Sequence, residues 1–163
     1  MTAAKDRRSF QKVLVANRGE IAVRILRGLR DAGLRSAVVY SEVDRRGLPV
    51  LLADEAYCIG PPPALESYLR AAEIVELAGE IGADAIHPGY GFLAENADFA
   101  QRCERAGIKF IGPPASAIAV MGSKIESRRL MLEARLPVVP GGTEALDTVE
   151  EAVAFAAEIW YPV

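Results

Sequence analysis

The sequence holds two cysteines, one histidine and one tryptophan, and each scarcity narrows the chemistry available. Cys58 stands in an apolar run and Cys103 inside a helical pattern, far apart and without C-x-x-C spacing. Neither a zinc site nor a redox pair is therefore expected, and both thiols are expected to be buried. No residue is assigned to a metal. Runs of about 18 apolar residues are missing, and the N-terminal MTAAKDRRSF has charge but no apolar segment behind it. That excludes a membrane-spanning helix and a signal peptide, and leaves a soluble cytoplasmic protein as the expectation. The formal net charge is -3, which argues against general nucleic-acid binding; the basic clusters DRR and ESRR read as solvated faces. Internal repeats and low-complexity segments are also missing.

What the sequence does have is apolar content, 51% over 163 residues, enough for one domain or one and a fraction without staples. Short apolar runs alternate with helical stripes, as in a βα protein. Strands are expected at Lys12 to Ala16, Ser36 to Tyr40, Ala56 to Gly60, Ala83 to Pro88 and within IKFIGPP, Ile108 to Pro114. Helices are expected from Glu20 to Gly33, in a short turn near Pro49 to Asp54, from Tyr68 to Gly82 with Ser67 as cap, and from Asn96 to Ala106. This predicts a doubly wound parallel sheet with helices on both faces. Past Pro114 the pattern changes to helices at Ala115 to Met121, Lys124 to Arg135 and Thr148 to Ile159, with an extended LPVVPGGT between the last two. Those apolar stripes need partners, and few strands remain to supply them.

Two turns join a strand to a helix, where a helix N-terminus can receive an anion. ANRGE, Ala16 to Glu20, has one glycine, so the dinucleotide fingerprint that needs G-x-G-x-x-G after the first strand is not met. Gly89-Tyr90-Gly91-Phe92-Leu93-Ala94 fits G-x-G-x-x-A, but after the fourth strand, and no acidic residue stands about 20 positions on. A nicotinamide oxidoreductase is thereby disfavoured. Tyr90, flanked by glycines, can present its ring to a planar ligand, while His87, followed by proline, reads as packed or hydrogen-bonded rather than as a proton carrier.

The stretches ANRGEIAVRI, ADEAYCIGP, SYL, HPGYGFLAEN, FIGPP, MGSK and PVVPG together resemble the N-terminal part of biotin carboxylase, the ATP-grasp component of acetyl-, propionyl- and methylcrotonyl-CoA carboxylases and of pyruvate carboxylase. The similarity runs from about Phe10 to the last residue. It implies a Rossmann-like pre-ATP-grasp domain over 10–113, then linker helices and the truncated start of an ATP-grasp domain over 114–163. It also implies the activity of the parent enzyme. ATP and bicarbonate give carboxyphosphate and ADP, and the carboxyl group passes to a ureido nitrogen of biotin.

By this resemblance Lys124 falls on a lysine that contacts ATP, which suits a compact ammonium charge; taken alone, it is a solvated lysine at a helix start. Tyr90 and Gly91 fall on the loop facing biotin. Arg24, Arg27 and Asp31 share an outward stripe on the first helix, where the family dimerises; taken alone, that stripe is a solvated face with internal Glu20–Arg24 and Arg27–Asp31 pairs. ATP, magnesium and biotin are the implied cofactors, with a biotinylated carrier domain and the remainder of the carboxylase chain as partners. Ala94, Ser123 and Trp160 depart from the family's usual Ser, Asp and Gly. No catalytic residue is assigned, since the family's magnesium carboxylates, bicarbonate-binding groups and catalytic glutamate lie beyond Val163. The chain is accordingly expected to be an inactive piece of a longer enzyme. Two other readings stay open: a binding or dimerisation module built on the same sandwich, and a different α/β nucleotide-binding enzyme.

Overall fold

Short β-branched runs become the middle of a sheet here. A computed structural model describes residues 10–139, 141–142 and 146–159. Thr143, Trp160 and the strand expected to begin at Tyr161 lie outside the described residues. The chain forms two compact units, one ending at Ile118 and one beginning at Ala119.

In the first unit the strands are β1 (Lys12–Val15), β2 (Arg35–Tyr40), β3 (Glu55–Cys58), β4 (Ala85–His87) and β5 (Lys109–Phe110). They form one sheet in the order β3-β2-β1-β4-β5, and each pairing is parallel. Between them run α1 (Gly19–Asp31), α2 (Leu48–Leu52), α3 (Ala71–Glu80) and α4 (Ala97–Arg105); α5 (Ala115–Gly122) follows and runs across the division at Ile118. Parallel neighbours require such crossovers.

Successive strand residues point to opposite faces, and the two cores divide accordingly. Val13, Val15, Val38 and Ala85 meet Ala22, Ile25, Leu26 and Leu29 of α1. Leu14, Ala37, Val39 and Ile86 meet Ile74 and Ala78 of α3 and Phe99, Ala100 and Cys103 of α4. The doubly wound parallel sheet expected from the sequence is the fold observed.

Local differences have physical causes. The helix expected from Tyr68 begins at Ala71, because Ala64–Glu66 form a single 3-10 turn and Ser67 leaves helical geometry at φ -143°, ψ -93°. Ser67 does not cap a helix: its hydroxyl donates to the Pro63 carbonyl at 2.9 Å. On α1 Ala22 is buried and Ile21 only partly so, while α4 starts at an Asn96 cap, whose Oδ1 accepts from the Phe99 amide at 2.9 Å. Cys103 is buried as expected, but Cys58, at the end of edge strand β3, is exposed.

The second unit contains α6 (Lys124–Glu133) and α7 (Val149–Ile159). Ser123 caps α6, accepting from the Glu126 amide at 3.3 Å. At α7 the Thr148 hydroxyl accepts from the Glu151 amide at 3.2 Å, and the Glu151 carboxylate accepts from the Thr148 amide at 3.3 Å. This reciprocal pair is a capping box.

Candidate functional site

The order β3-β2-β1-β4-β5 reverses direction between β1 and β4, so the turns leaving those two strands face each other at the carboxyl edge of the sheet. Open α/β sheets bind ligands there. The first turn, Ala16 to Gly19, is joined to β4 by the Ala16 amide, which donates to the His87 carbonyl at 3.0 Å. Asn17 is 2% exposed. Its Nδ2 donates to the Pro88 oxygen at 2.6 Å and to the Tyr90 oxygen at 2.8 Å, while its Oδ1 accepts from the Arg18 amide at 2.9 Å. One carboxamide thus satisfies two carbonyls of a loop that has no ladder to satisfy them.

The second turn is His87 to Leu93. Gly89 has φ +67°, and a Cβ there would stand 2.9 Å from the Asn17 Nδ2 and 3.0 Å from Ile21. The first glycine of the motif therefore lets the loop approach α1 closely. Tyr90 is 61% exposed, with its hydroxyl donating to the Glu20 carboxylate; that bond raises the Tyr90 pKa. The Glu20–Arg24 and Arg27–Asp31 pairs that a solvated α1 face would hold do not form among the described residues, and Glu20 reaches across to the loop instead. Gly91 has φ +66° and is exposed. His87 is half-buried, its Nδ1 accepts from the Gly89 amide at 3.1 Å, and burial lowers its pKa. It is a hydrogen-bonded residue at the end of β4, consistent with the packed or hydrogen-bonded role expected from the sequence.

Phe92 has φ +44°, a region that costs a side chain about 1–2 kcal/mol. Its ring stacks on Tyr68, with centroids 5.1 Å apart and planes at 16°. Tyr68 is 2% exposed; its hydroxyl donates to Asp44 Oδ2 at 2.7 Å and accepts from the Ser41 amide at 2.9 Å. Burial, then the bond to Asp44, pushes the Tyr68 pKa up to about 12. Asp44 also accepts from the Ser41 hydroxyl at 2.9 Å and from Arg18 at 2.7 Å. Burial pulls the Asp44 carboxyl upward, but hydrogen bonds from Arg18, Tyr68 and Ser41 outweigh it and hold the pKa below the ordinary value.

Arg24, Arg27 and Asp31 lie on the exposed side of α1. With Val23, Pro49 and Val50 they line a cavity of about 660 Å³. Lys124 is the first residue of α6, exposed and next to the Ser123 cap. It belongs to the second unit, whereas in the first unit Tyr90 and Arg24 line one hollow with His87, and Arg27 and Asp31 lie further along α1. Asn17, Asp44, Tyr68 and Phe92 escaped the sequence reading. An amide residue directly after a buried strand was the available signal for Asn17, and Phe92 lies within the glycine motif; nothing local marks Asp44 or Tyr68. Among the described residues no group of three or more His, Cys, Asp or Glu could hold a metal ion, and no helix is long and apolar enough to cross a membrane.

Fold and site together define a doubly wound α/β unit with a rigidly held loop at the strand-order switch. A family model, the biotin carboxylase N-terminal domain, matches residues 9–118, and the chain belongs to that family. It is 54% identical over 154 residues to biotin carboxylase 1 of Bacillus subtilis, covering 94% of this chain and 34% of that protein. To the methylcrotonoyl-CoA carboxylase alpha subunit of Glycine max it is 53% identical, covering 98% of this chain and 22% of that one. Among solved structures, the biotin carboxylase domain dimer of Hydrogenobacter thermophilus 2-oxoglutarate carboxylase, in complex with MgADP, ADP and bicarbonate, superposes with a TM-score of 0.87 at 52% identity, over 94% of this chain and 34% of that one. The Campylobacter jejuni biotin carboxylase in complex with a β,γ-ATP ligand also gives 0.87, at 44% identity and the same coverage. The chain therefore spans about a third of the length of the biotin carboxylases it matches.

Proposed function

We propose that the chain is the N-terminal part of an ATP-dependent biotin carboxylase and forms one wall of its biotin site. The observation that carries this is the His87–Leu93 loop at the switch point, fastened by Asn17 and presenting an exposed Tyr90 ring beside Gly91. In this reading ATP and bicarbonate supply an activated carboxyl group, which passes to a ureido nitrogen of biotin. Tyr90 offers a flat face, and Gly91, with no side chain, leaves the loop backbone open to the ring. Holding the acceptor still is the chain's contribution to rate. Residues 10–113 form the biotin carboxylase N-terminal domain, and 114–163 are linker helices and the start of an ATP-grasp domain.

Lys124 is read as a phosphate contact. Its ammonium is exposed at the start of a ten-residue helix capped by Ser123, where charge and helix polarity both favour an anion. The groups holding magnesium and completing catalysis are assigned to the remainder of the carboxylase. A biotinylated carrier domain is the physiological acceptor. A cytoplasmic location is part of this reading.

Arg24, Arg27 and Asp31 are read as a homodimer contact, supported by the dimer described for the Hydrogenobacter domain. Opposite charges on one stripe are self-complementary across a two-fold axis. Light scattering at high concentration should show a dimer that Arg24→Glu dissolves; a monomer unaffected by that change would remove the interface.

The activity is tested by bicarbonate-dependent ADP release with Mg-ATP and free biotin, using the chain alone and mixed with a polypeptide covering the remaining two-thirds of the Bacillus subtilis relative. Turnover is expected only in the mixture. Turnover by the chain alone, or none when the two pieces associate, would overturn the reading. In the chain alone, free biotin at millimolar concentration should shift the Tyr90 and Gly91 amide resonances, and Mg-ATP should give no calorimetric heat at micromolar concentration.

A further inference from the structure

We infer that Tyr68, held through its hydroxyl by Asp44 and Ser41, is a positioning residue for the biotin-facing loop: it fixes Phe92 in its left-handed conformation and so aims the Gly91–Phe92 peptide. The inference rests on the reading of the Tyr90–Gly91 loop given above.

A bulky residue does not choose φ +44° by itself. Such a conformation persists only where the surroundings over-determine it. Here the next residue, Leu93, is 2% exposed in the core, so one end of the segment is anchored. With Leu93 fixed, rotation about the Phe92 N–Cα bond decides where the Gly91–Phe92 peptide points, and with it the Phe92 N–H and the Gly91 carbonyl. The ring of Phe92 sets that rotation, and the ring lies flat on Tyr68 at 5.1 Å.

Tyr68 has little freedom to yield. Its hydroxyl is bonded on one side to Asp44 at 2.7 Å and on the other by the Ser41 amide at 2.9 Å. Asp44 is in turn held by the Ser41 hydroxyl and by Arg18, whose guanidinium lies 5.9 Å from the Tyr68 ring centre. The chain of contacts thus runs from the turns after β1 and β2, through Tyr68, to the loop after β4. Burial alone would be met by phenylalanine at position 68. The hydroxyl is what ties the ring to the sheet edge, and glycine at 92 would need no such support.

The test uses the isotope-labelled chain and the amide resonances of Gly91 and Phe92. Tyr68→Phe and Asp44→Asn should each produce a second set of these resonances at roughly a tenth of the total intensity or more, while those of Val13 and Ala85 stay in place. Adding Phe92→Gly to Tyr68→Phe should remove the second set, a rescue that a tyrosine needed only for stability would not show. Asp44→Asn, at a partly exposed residue, carries the test if Tyr68→Phe does not fold. Single, unmoved Gly91 and Phe92 resonances in the folded variants, or a second set that survives Phe92→Gly, would overturn the positioning role. Free biotin added to the native chain reports separately: an unresponsive Gly91 amide overturns the biotin reading of the loop, irrespective of the Tyr68 result.

Discussion

Asn17 and Tyr90 stand 73 positions apart in sequence, yet the Asn17 carboxamide donates to the Tyr90 main-chain oxygen at 2.8 Å. With its second bond, to Pro88 at 2.6 Å, it turns two facing turns into one rigid edge. Asn17→Ala would leave both carbonyls without this donor, at a cost of about 1–3 kcal/mol. Asn17→Asp should cost more, because a carboxylate would face two acceptors. Gly89→Ala should be comparably harmful, since its Cβ would meet the Asn17 Nδ2 at 2.9 Å in a backbone at φ +67°. Urea midpoints check all three. A loss under about 0.5 kcal/mol for Asn17→Asp would mean that the carbonyls find other donors.

The pH dependence of stability follows from which carboxylates the fold serves. Backbone amides of Lys12 and Gln11 donate to Asp84 Oδ2 at 2.9 and 2.8 Å and lower its pKa. The amide and then the hydroxyl of Ser36 do the same for Asp54. Folded values below the unfolded ones give stability that is complete above about pH 4 and is lost as pH falls through the folded pKa. Asp84→Asn should flatten this acid limb of melting temperature against pH. Tyr68 acts in the opposite direction. With its pKa raised to about 12, its stabilisation is complete below about pH 10 and is lost between there and about pH 12. Tyr68→Phe should lack that alkaline loss, and an unchanged profile would show that Tyr68 is not the group responsible.

The two thiols should separate cleanly. Cys58 is exposed, whereas Cys103 is buried and its pKa is pushed up to about 11 by burial. Thiolate is the reactive form, so an aromatic disulfide reagent at neutral pH should label Cys58 promptly and Cys103 only on unfolding. Cys58→Ser should then abolish the fast phase. Two fast equivalents in the native protein would mean that the α4 core opens readily.

The sheet was legible because its signals are local. Val13 to Val15 and Ala37 to Val39 are runs too short and too apolar for anything but central strands, and the helical stripes between them force parallel crossovers. On α1 the apolar Ile21, Ile25, Leu26 and Leu29 recur at helical spacing, and all but the partly buried Ile21 are buried. Cys58 is exposed where its apolar neighbours suggest burial, because β3 is an edge strand. The site was only half legible for a different reason. Tyr90 and Gly91 lie in a motif, but the groups that hold their loop come from Asn17, Asp44 and Tyr68, whose roles exist only once distant turns meet. Tyr68 opens the helix that the sequence predicts, but its hydroxyl bonds Asp44 and the Ser41 amide across 24 and 27 residues, and the helix starts later.

Hydrogen exchange should divide the chain. In the first unit Val13, Leu14, Ala85 and Ile86 are completely buried, and their amides should exchange only through near-global opening. In the second unit α6 has no buried residue and α7 has only Ala156; Val149 and Val153 are 74% and 56% exposed. With so few buried contacts, α6 and α7 should exchange at least about a hundredfold faster than β1. The end of α6 offers an internal control. Arg135 closes the helix at φ +58°, with the Arg135 amide donating to Leu132 and the Leu136 amide to Met131, each at 2.9 Å. That closure normally calls for glycine, so Arg135→Gly should relieve about 1 kcal/mol and slow exchange in α6 about fivefold, leaving β1 untouched. Equal protection of α7 and β1 in the native chain would show that the second unit is stabilised by contacts other than its own apolar burial, and an Arg135→Gly variant that exchanges faster would show that the arginine side chain holds α6 more firmly than its backbone strains it.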